Sequence, residues 1–165
     1  MANNLGKKFE TKLQEDWLKI AYVDRDGDLC KGDIERLKDP GFGMKGISNI
    51  SDFIAYASPL HFYIECKSIK GNTFPLVNLK QYKKLIEKEP VKGVRRGVVI
   101  WFYEKDKVIY VPITTIQKMK EDGKKSVNIR TDLEKYRIID IPSKKKRTFM
   151  DSDYSILIQE LKEGE

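Results

Sequence analysis

No apolar run in the 165 residues approaches the ~18 that a membrane span requires. The first residues, Met1-Ala2-Asn3-Asn4-Leu5-Gly6-Lys7-Lys8, lack the apolar core of a secretory signal. The two cysteines, Cys30 and Cys66, are too few for a disulfide framework, which points to a reducing compartment. The single histidine, His61, argues against a zinc site of the usual Cys/His type. What remains is a chain with 40% hydrophobic and 35% charged residues, too apolar for a wholly disordered one. Its length suits a single domain spanning residues 1–165. Such a domain buries roughly 70% of its unfolded surface and needs no staples. Lysine and arginine number 32 against 25 acids, a net charge of +7. That surplus suits a polyanion, most often nucleic acid, although excess lysine also serves solubility alone.

Leu5, Phe9, Leu13 and Trp17 recur every fourth residue, which predicts a helix over about residues 3–20. A polar, Gly-rich stretch from Asp24 to Ile47 follows, with a turn signal at Pro40-Gly41-Phe42-Gly43. Ile47 to Ala57 reads as a strand or a loop leading into one, and His61 to Lys67 as a second strand after the Pro59 turn. Leu76 to Glu89 carries helical spacing. Gly97 to Tyr103 and Val108 to Pro112 form a predicted hairpin, and Thr114 caps a short helix to about Lys120. Arg137 to Ile141 is a further candidate strand, and Asp151 or Ser152 a candidate cap for a final helix through Leu161. The order helix, strands, helix, strands, helix predicts an α/β domain whose mixed central sheet is flanked by helices.

Glu65-Cys66-Lys67 is the most informative step. In a strand, Glu65 and Lys67 share a face with Tyr63, while Phe62, Ile64 and Cys66 face a core. Two charges on one face of an apolar strand are costly unless they serve something. Their Cα atoms lie about 6.6 Å apart, which suits joint action on one phosphate or one metal-bound water. Other Glu-x-Lys steps, Glu10/Lys12 and Glu160/Lys162, fall in predicted helices, where i and i+2 diverge. If the two strands around Pro59 pair, Asp52 meets Glu65. Two converging carboxylates make a hard oxygen pocket for Mg²⁺ or Mn²⁺. A lysine beside them steadies charge on a phosphate, so the set describes metal-assisted phosphodiester hydrolysis. The competing reading is a surface ion pair and a turn aspartate.

These residues carry a resemblance. Asp52 followed by Glu65-x-Lys67 resembles the PD-(D/E)xK nuclease superfamily. More closely, the chain resembles RecU-type Holliday junction resolvases in a compact, phage-style version. The similarity includes Gly6-Lys7-Lys8-Phe9-Glu10, Ser51-Asp52-Phe53, Asn72-Thr73-Phe74-Pro75-Leu76, Gly123-Lys124-Lys125-Ser126 and Asp153-Tyr154-Ser155-Ile156. It implies a restriction-endonuclease-like core with Asp52, Glu65 and Gln81 as metal ligands, Lys67 as transition-state stabiliser and Glu10 approaching the same site. It also implies Mg²⁺, with Mn²⁺ substituting, branched DNA as substrate, a homodimer, and action in a bacterial cytoplasm, including that of a phage host. The family has threonines before the first acid, where this chain has Ile50-Ser51, so that ligand is lost or Ser51 replaces it. The proline of "PD" is absent. The alternatives are an endonuclease of the same superfamily on linear or nicked DNA, and a non-catalytic DNA-binding protein of the same fold.

The basic residues expected at DNA are Lys124, Lys125, Lys144, Lys145, Lys146, Arg147, Arg95 and Arg96; Lys124 and Lys125, in a block that resembles the family's, are favoured for it, and the others are equally readable as solvated charge. Asp24-Arg25-Asp26-Gly27-Asp28 imitates a calcium loop, but its glycine stands at the fourth position rather than the sixth, so a solvated turn is the better reading, with Arg25 or Asp28 at most edging the site. His61, on the Glu65 face, is read as structural with a smaller prospect of reaching the site, Cys66 as a small core residue, and Trp17 and Trp101 as core.

Overall fold

The computed structural model describes residues 2–38 and 48–162, so the Pro40–Gly43 turn and Ile47 lie outside the described residues. The first helix, α1, runs Ala2–Trp17. Three strands follow: β1 (Ala21–Val23), β2 (Leu29–Lys31) and β3 (Asp33–Arg36). Next come β4 (Phe53–Ala57), β5 (Leu60–Ile69) and β6 (Thr73–Pro75). A 3₁₀ turn at Leu76–Asn78 leads to α2 (Tyr82–Ile86), β7 (Val94–Phe102), β8 (Lys107–Pro112) and α3 (Ile113–Glu121). The chain continues through β9 (Ser126–Asn128), β10 (Ile139–Asp140), β11 (Ser143–Lys145), β12 (Met150–Ser152) and α4 (Ile156–Leu161).

The central sheet has six strands in the order β10-β8-β7-β5-β4-β3. Only β5 and β7 pair in parallel; the other neighbours are antiparallel, so the sheet is mixed as expected. Helices cover both faces. Phe9, Leu13 and Trp17 of α1 pack against Phe62, Ile64 and Trp101. On the other face Leu85 and Ile116 of α2 and α3 pack against Val98, Ile100 and Phe102. Burial on both faces is why β7 and β8 read as unbroken apolar runs. Trp17 and Trp101 are both core residues, as expected. Among the described residues no helix is long and apolar enough to cross a membrane.

Several elements differ from the sequence expectation. The Asp24–Ile47 stretch is not all loop: β1 and β2 form a hairpin, and β3 adds an edge strand to the sheet. Asp24 Oδ1 accepts from the backbone N–H groups of Asp26 and Asp28, and Gly27 supplies the positive φ of the turn. That is a solvated hairpin tip and not a calcium loop. The predicted helix over 76–89 is broken, because Leu79 leaves helical geometry between the 3₁₀ turn and α2. Pro112, not Thr114, precedes α3. Asp151 and Ser152 lie in β12, and Ser155 stands before α4.

Gly97 shows how tightly the sheet is packed. A Cβ there would lie 2.5 Å from the ring of Tyr110, which is fully buried. Gly97→Ala therefore forces Tyr110 to shift. Overpacking of this kind costs about 1–3 kcal/mol. The melting temperature is expected to fall by roughly 3–10 °C in a calorimetric scan, and an unchanged value would show that Tyr110 moves freely.

Candidate active site

The hairpin of β4 and β5 builds the site. Its register pairs Phe53 with Ile64, which sets Asp52, one residue before β4, beside Glu65. The backbone confirms the alignment: Asp52 N–H donates to Ile64 O at 3.1 Å. Asp52 Oδ2 accepts from the N–H of Cys66 at 2.8 Å, which leaves Oδ1 outside that bond. The strand alternation is the one expected. Cys66 turns to the α1 core, and Glu65 turns to the face shared with Tyr63, Val98 and Ile100.

Glu65 is fully buried. Its Oε1 accepts from Lys67 Nζ at 2.5 Å, and its Oε2 has no hydrogen-bond partner. Burial, and then the neighbouring charge of Asp52, push its carboxyl up to about 7, against the opposing pull of Lys67. Burial pulls the Lys67 ammonium down, but Glu65 and Asp52 outweigh it and hold the group above its ordinary value. Lys67 is therefore a fixed cation beside two acids. Burial, with the charges of Asp52 and Glu10, pushes the Cys66 thiol well up, in keeping with a small core residue.

Glu10 arrives from α1. It forms an ion pair with Arg36 of β3, a partner hidden from the sequence by reading that segment as loop. Its charge still reaches Glu65 and Cys66, raising both. Gln81 stands immediately before α2, on the sheet face that carries Glu65. Its Oε1 is buried without a hydrogen-bond partner. Ser51 is buried, and its hydroxyl donates to Phe53 O at 2.8 Å, so its proton is committed to its own backbone. His61 stacks between Tyr56 and Tyr63 at the far end of β5.

Among the described residues no group of three or more His, Cys, Asp or Glu side chains is placed to hold a metal. The hairpin register brings together a pair, Asp52 and Glu65, while Gln81 stands at the start of α2. Mg²⁺ commonly takes one or two carboxylates and keeps several waters. Glu65 Oε2, buried beside Asp52 without a partner, is a donor such an ion would satisfy, and Gln81 Oε1 is a second unpartnered buried oxygen. The residues fit the ion.

The basic residues divide. Arg95 is buried, and its guanidinium donates to Leu161 O at 3.0 and 2.5 Å, closing the end of α4. Its place is inside the fold, contrary to the expected phosphate contact. Lys124 is paired with the buried Asp132 at 2.8 Å, and Lys145 with Asp106 at 2.7 Å. Lys125 is exposed. Lys144, Lys146 and Arg147 are exposed around the β11–β12 hairpin, which joins α1 through Lys12 and Asp151. They lie on the side of the sheet away from Glu65. Arg96 lies over the Tyr63 ring at 5.9 Å, on the Glu65 side. Arg25 lies in a groove with Ser155 and Ile158, and Asp28 at the same hairpin tip.

No family model matches the chain, and a search of curated proteins finds no match. Among solved structures, it is similar to Hjc, a Holliday junction resolvase of the archaeal hyperthermophile Archaeoglobus fulgidus, at 17% identity and a TM-score of 0.48. The alignment covers 67% of this chain and 78% of that one.

Proposed function

We propose that this chain is a metal-dependent, structure-selective DNA endonuclease that resolves four-way junctions by paired symmetric nicks. The observation that carries the chemistry is the meeting of Asp52, Glu65 and Lys67 at one end of the β4–β5 hairpin, with Glu65 Oε2 unpartnered. The junction substrate comes from the resemblance of the sequence to RecU-type resolvases. Asp52, Glu65 and Gln81 would hold Mg²⁺ or Mn²⁺, which would supply Lewis-acid chemistry for phosphodiester hydrolysis. Lys67 steadies the charge that develops on the phosphate. Glu10, tied to Arg36, orients a ligand or water at the same site. Two symmetric cuts require two sites, which a C₂ dimer supplies.

The test is incubation with a synthetic four-way junction and with a linear duplex, with and without Mg²⁺, beside Asp52→Asn. Symmetric nicks in the junction, dependent on Mg²⁺ and lost in Asp52→Asn, are expected, with little cutting of the duplex. Equal cutting of both substrates would sink junction selectivity and leave a general endonuclease. Binding without any cleavage in Mg²⁺ or Mn²⁺ would leave a DNA-binding protein.

A further inference from the structure

A basic surface distinct from the Lys144–Arg147 run stands beside the acids. We propose that the groove on the α2 side of the sheet carries one strand of a DNA arm to the site, with Lys84, Lys88, Lys92 and Arg96 against its phosphates. The proposal rests on the nuclease reading above and adds the path of the substrate.

The groove has a volume of about 560 Å³. Its rim carries Lys88, Lys92, Arg96 and Lys162, its floor includes Leu60 and Leu85, and no acidic side chain lines it. At Lys88 it meets a second concavity, of about 550 Å³, where Lys84 and Lys88 face Ile50 and Tyr63 with Glu87 as its one acid. Ile50 precedes Asp52 by two residues, and Tyr63 precedes Glu65 by two. The joined surface therefore runs toward the acids along the two strands that carry them.

The cations are available. Among the described residues Lys88 and Lys92 form no ion pair, unlike Lys124 and Lys145. Lys84 donates to Ser48 O at 2.5 Å, which leaves its charge uncompensated. Arg96 is half-buried over the Tyr63 ring, and its Nη2 reaches Glu89 O only at 3.4 Å. An unused guanidinium donor is suited to a phosphate oxygen.

Spacing favours a strand over a single small anion. His61 N–H donates to Gly93 O at 2.7 Å, which fixes the Lys92 end of the groove at the start of β5. Glu65 lies four residues along, about 13 Å at ~3.3 Å per residue. That length is longer than one phosphate group and suits a short run of one strand. Lys84, Lys88 and Arg96 gather at Tyr63, and Lys92 stands at the Gly93 end, so the cations occupy two stations along this line. The sequence carries the signal as Lys84, Lys88 and Lys92, each four residues apart, although the chain leaves helix after Ile86.

The experiment is fluorescence anisotropy of a labelled four-way junction in EDTA, between ~50 and ~200 mM salt, with the full chain. Lys88→Ala/Lys92→Ala changes two exposed side chains and spares the site. Its affinity is expected to fall about tenfold or more, and its salt slope by about 2. Lys144→Ala/Lys146→Ala/Arg147→Ala is expected to leave both nearly unchanged. An unchanged slope in the double variant, or a slope carried by the Lys144 set, overturns the groove. A parent that binds through the groove but never nicks overturns the nuclease reading and upholds the groove. A parent that nicks while the double variant binds equally well does the reverse.

Discussion

Lys67→Ala is expected to nick a four-way junction about 10²–10³-fold more slowly than the parent, with metal-free binding retained. Lys67 Nζ is held 2.5 Å from Glu65 Oε1, and the two acids keep it charged in spite of burial. A cation fixed before the reaction needs no reorganisation as charge develops on the phosphate, and alanine removes it outright. Asp52→Asn is expected to lose at least as much activity for a different reason. The asparagine Oδ1 can still accept from the N–H of Cys66, so the hairpin register survives while one negative charge disappears. Lys67→Arg keeps the charge but replaces a point-like ammonium with a planar fork, and an intermediate rate is expected. The double variant Asp52→Asn/Lys67→Ala is expected to be little worse than its slower parent variant, because residues that act as a unit do not add. Single-turnover cleavage in Mg²⁺, beside anisotropy in EDTA, separates chemistry from binding. Parent-level cleavage by Lys67→Ala would remove Lys67 from the chemistry.

The acidic centre was legible in the sequence because everything that builds it is local. Asp52, Glu65 and Lys67 sit on one hairpin, and alternation alone tells which side chains of β5 share a face. The long helix α1 and the strands β5, β7 and β8 were legible for a similar reason. Each is buried along a full stripe or on both faces, so its apolar pattern is strong. The short strands β1, β2 and β3 bury few side chains, and their patterns fall below what periodicity reports. Leu76, Leu79, Tyr82 and Leu85 do share one side, as the helical spacing predicted. Periodicity reports which way side chains face, not whether the backbone is continuous, and the chain breaks at Leu79.

Long-range pairing was not legible. Asp151 accepts from Lys12 and Lys19, and the buried Asp16 accepts from the N–H of Ser152. Contacts from α1 thus draw into β12 two residues that otherwise suit a helix cap. The same blindness applied to the basic residues. Arg95 and Arg96 are neighbours in sequence, yet strand alternation buries one against α4 and leaves the other over Tyr63. Lys124 resembles any other surface lysine until the fold sets Asp132 beside it. Charge composition counts cations but cannot say which remain uncompensated, and only those can release counterions from DNA.

Glu65→Gln is expected to melt higher than the parent in metal-free buffer above pH 7, while losing cleavage. The folded parent holds the Glu65 proton with a pKa of about 7, against an ordinary value of 4.5. The folded state therefore binds this proton more tightly than the unfolded state. The contribution of Glu65 is most favourable below pH 4.5 and is lost as pH rises through 7. Above pH 7 an ionised, fully buried carboxylate costs the metal-free fold about 3 kcal/mol relative to a neutral one. Glutamine is neutral and of the same shape. Its oxygen can face Lys67 and its NH₂ Asp52, and Lys67, partly exposed, stays solvated without its anion. The melting temperature of Glu65→Gln is expected to exceed that of the parent by roughly 6–12 °C at pH above 7. The gap should close progressively on acidification toward pH 5, so the difference between the two proteins isolates this one group from the other carboxylates. Added Mg²⁺ is expected to raise the parent and leave Glu65→Gln nearly unmoved, since an ion that binds only the folded parent stabilises only that protein. A Glu65→Gln protein that melts lower than the parent across the whole range would mean that the Glu65–Lys67 pair is a structural salt bridge. The buried acid would then support the fold, and the fold would not be holding a destabilising charge in readiness for a cation.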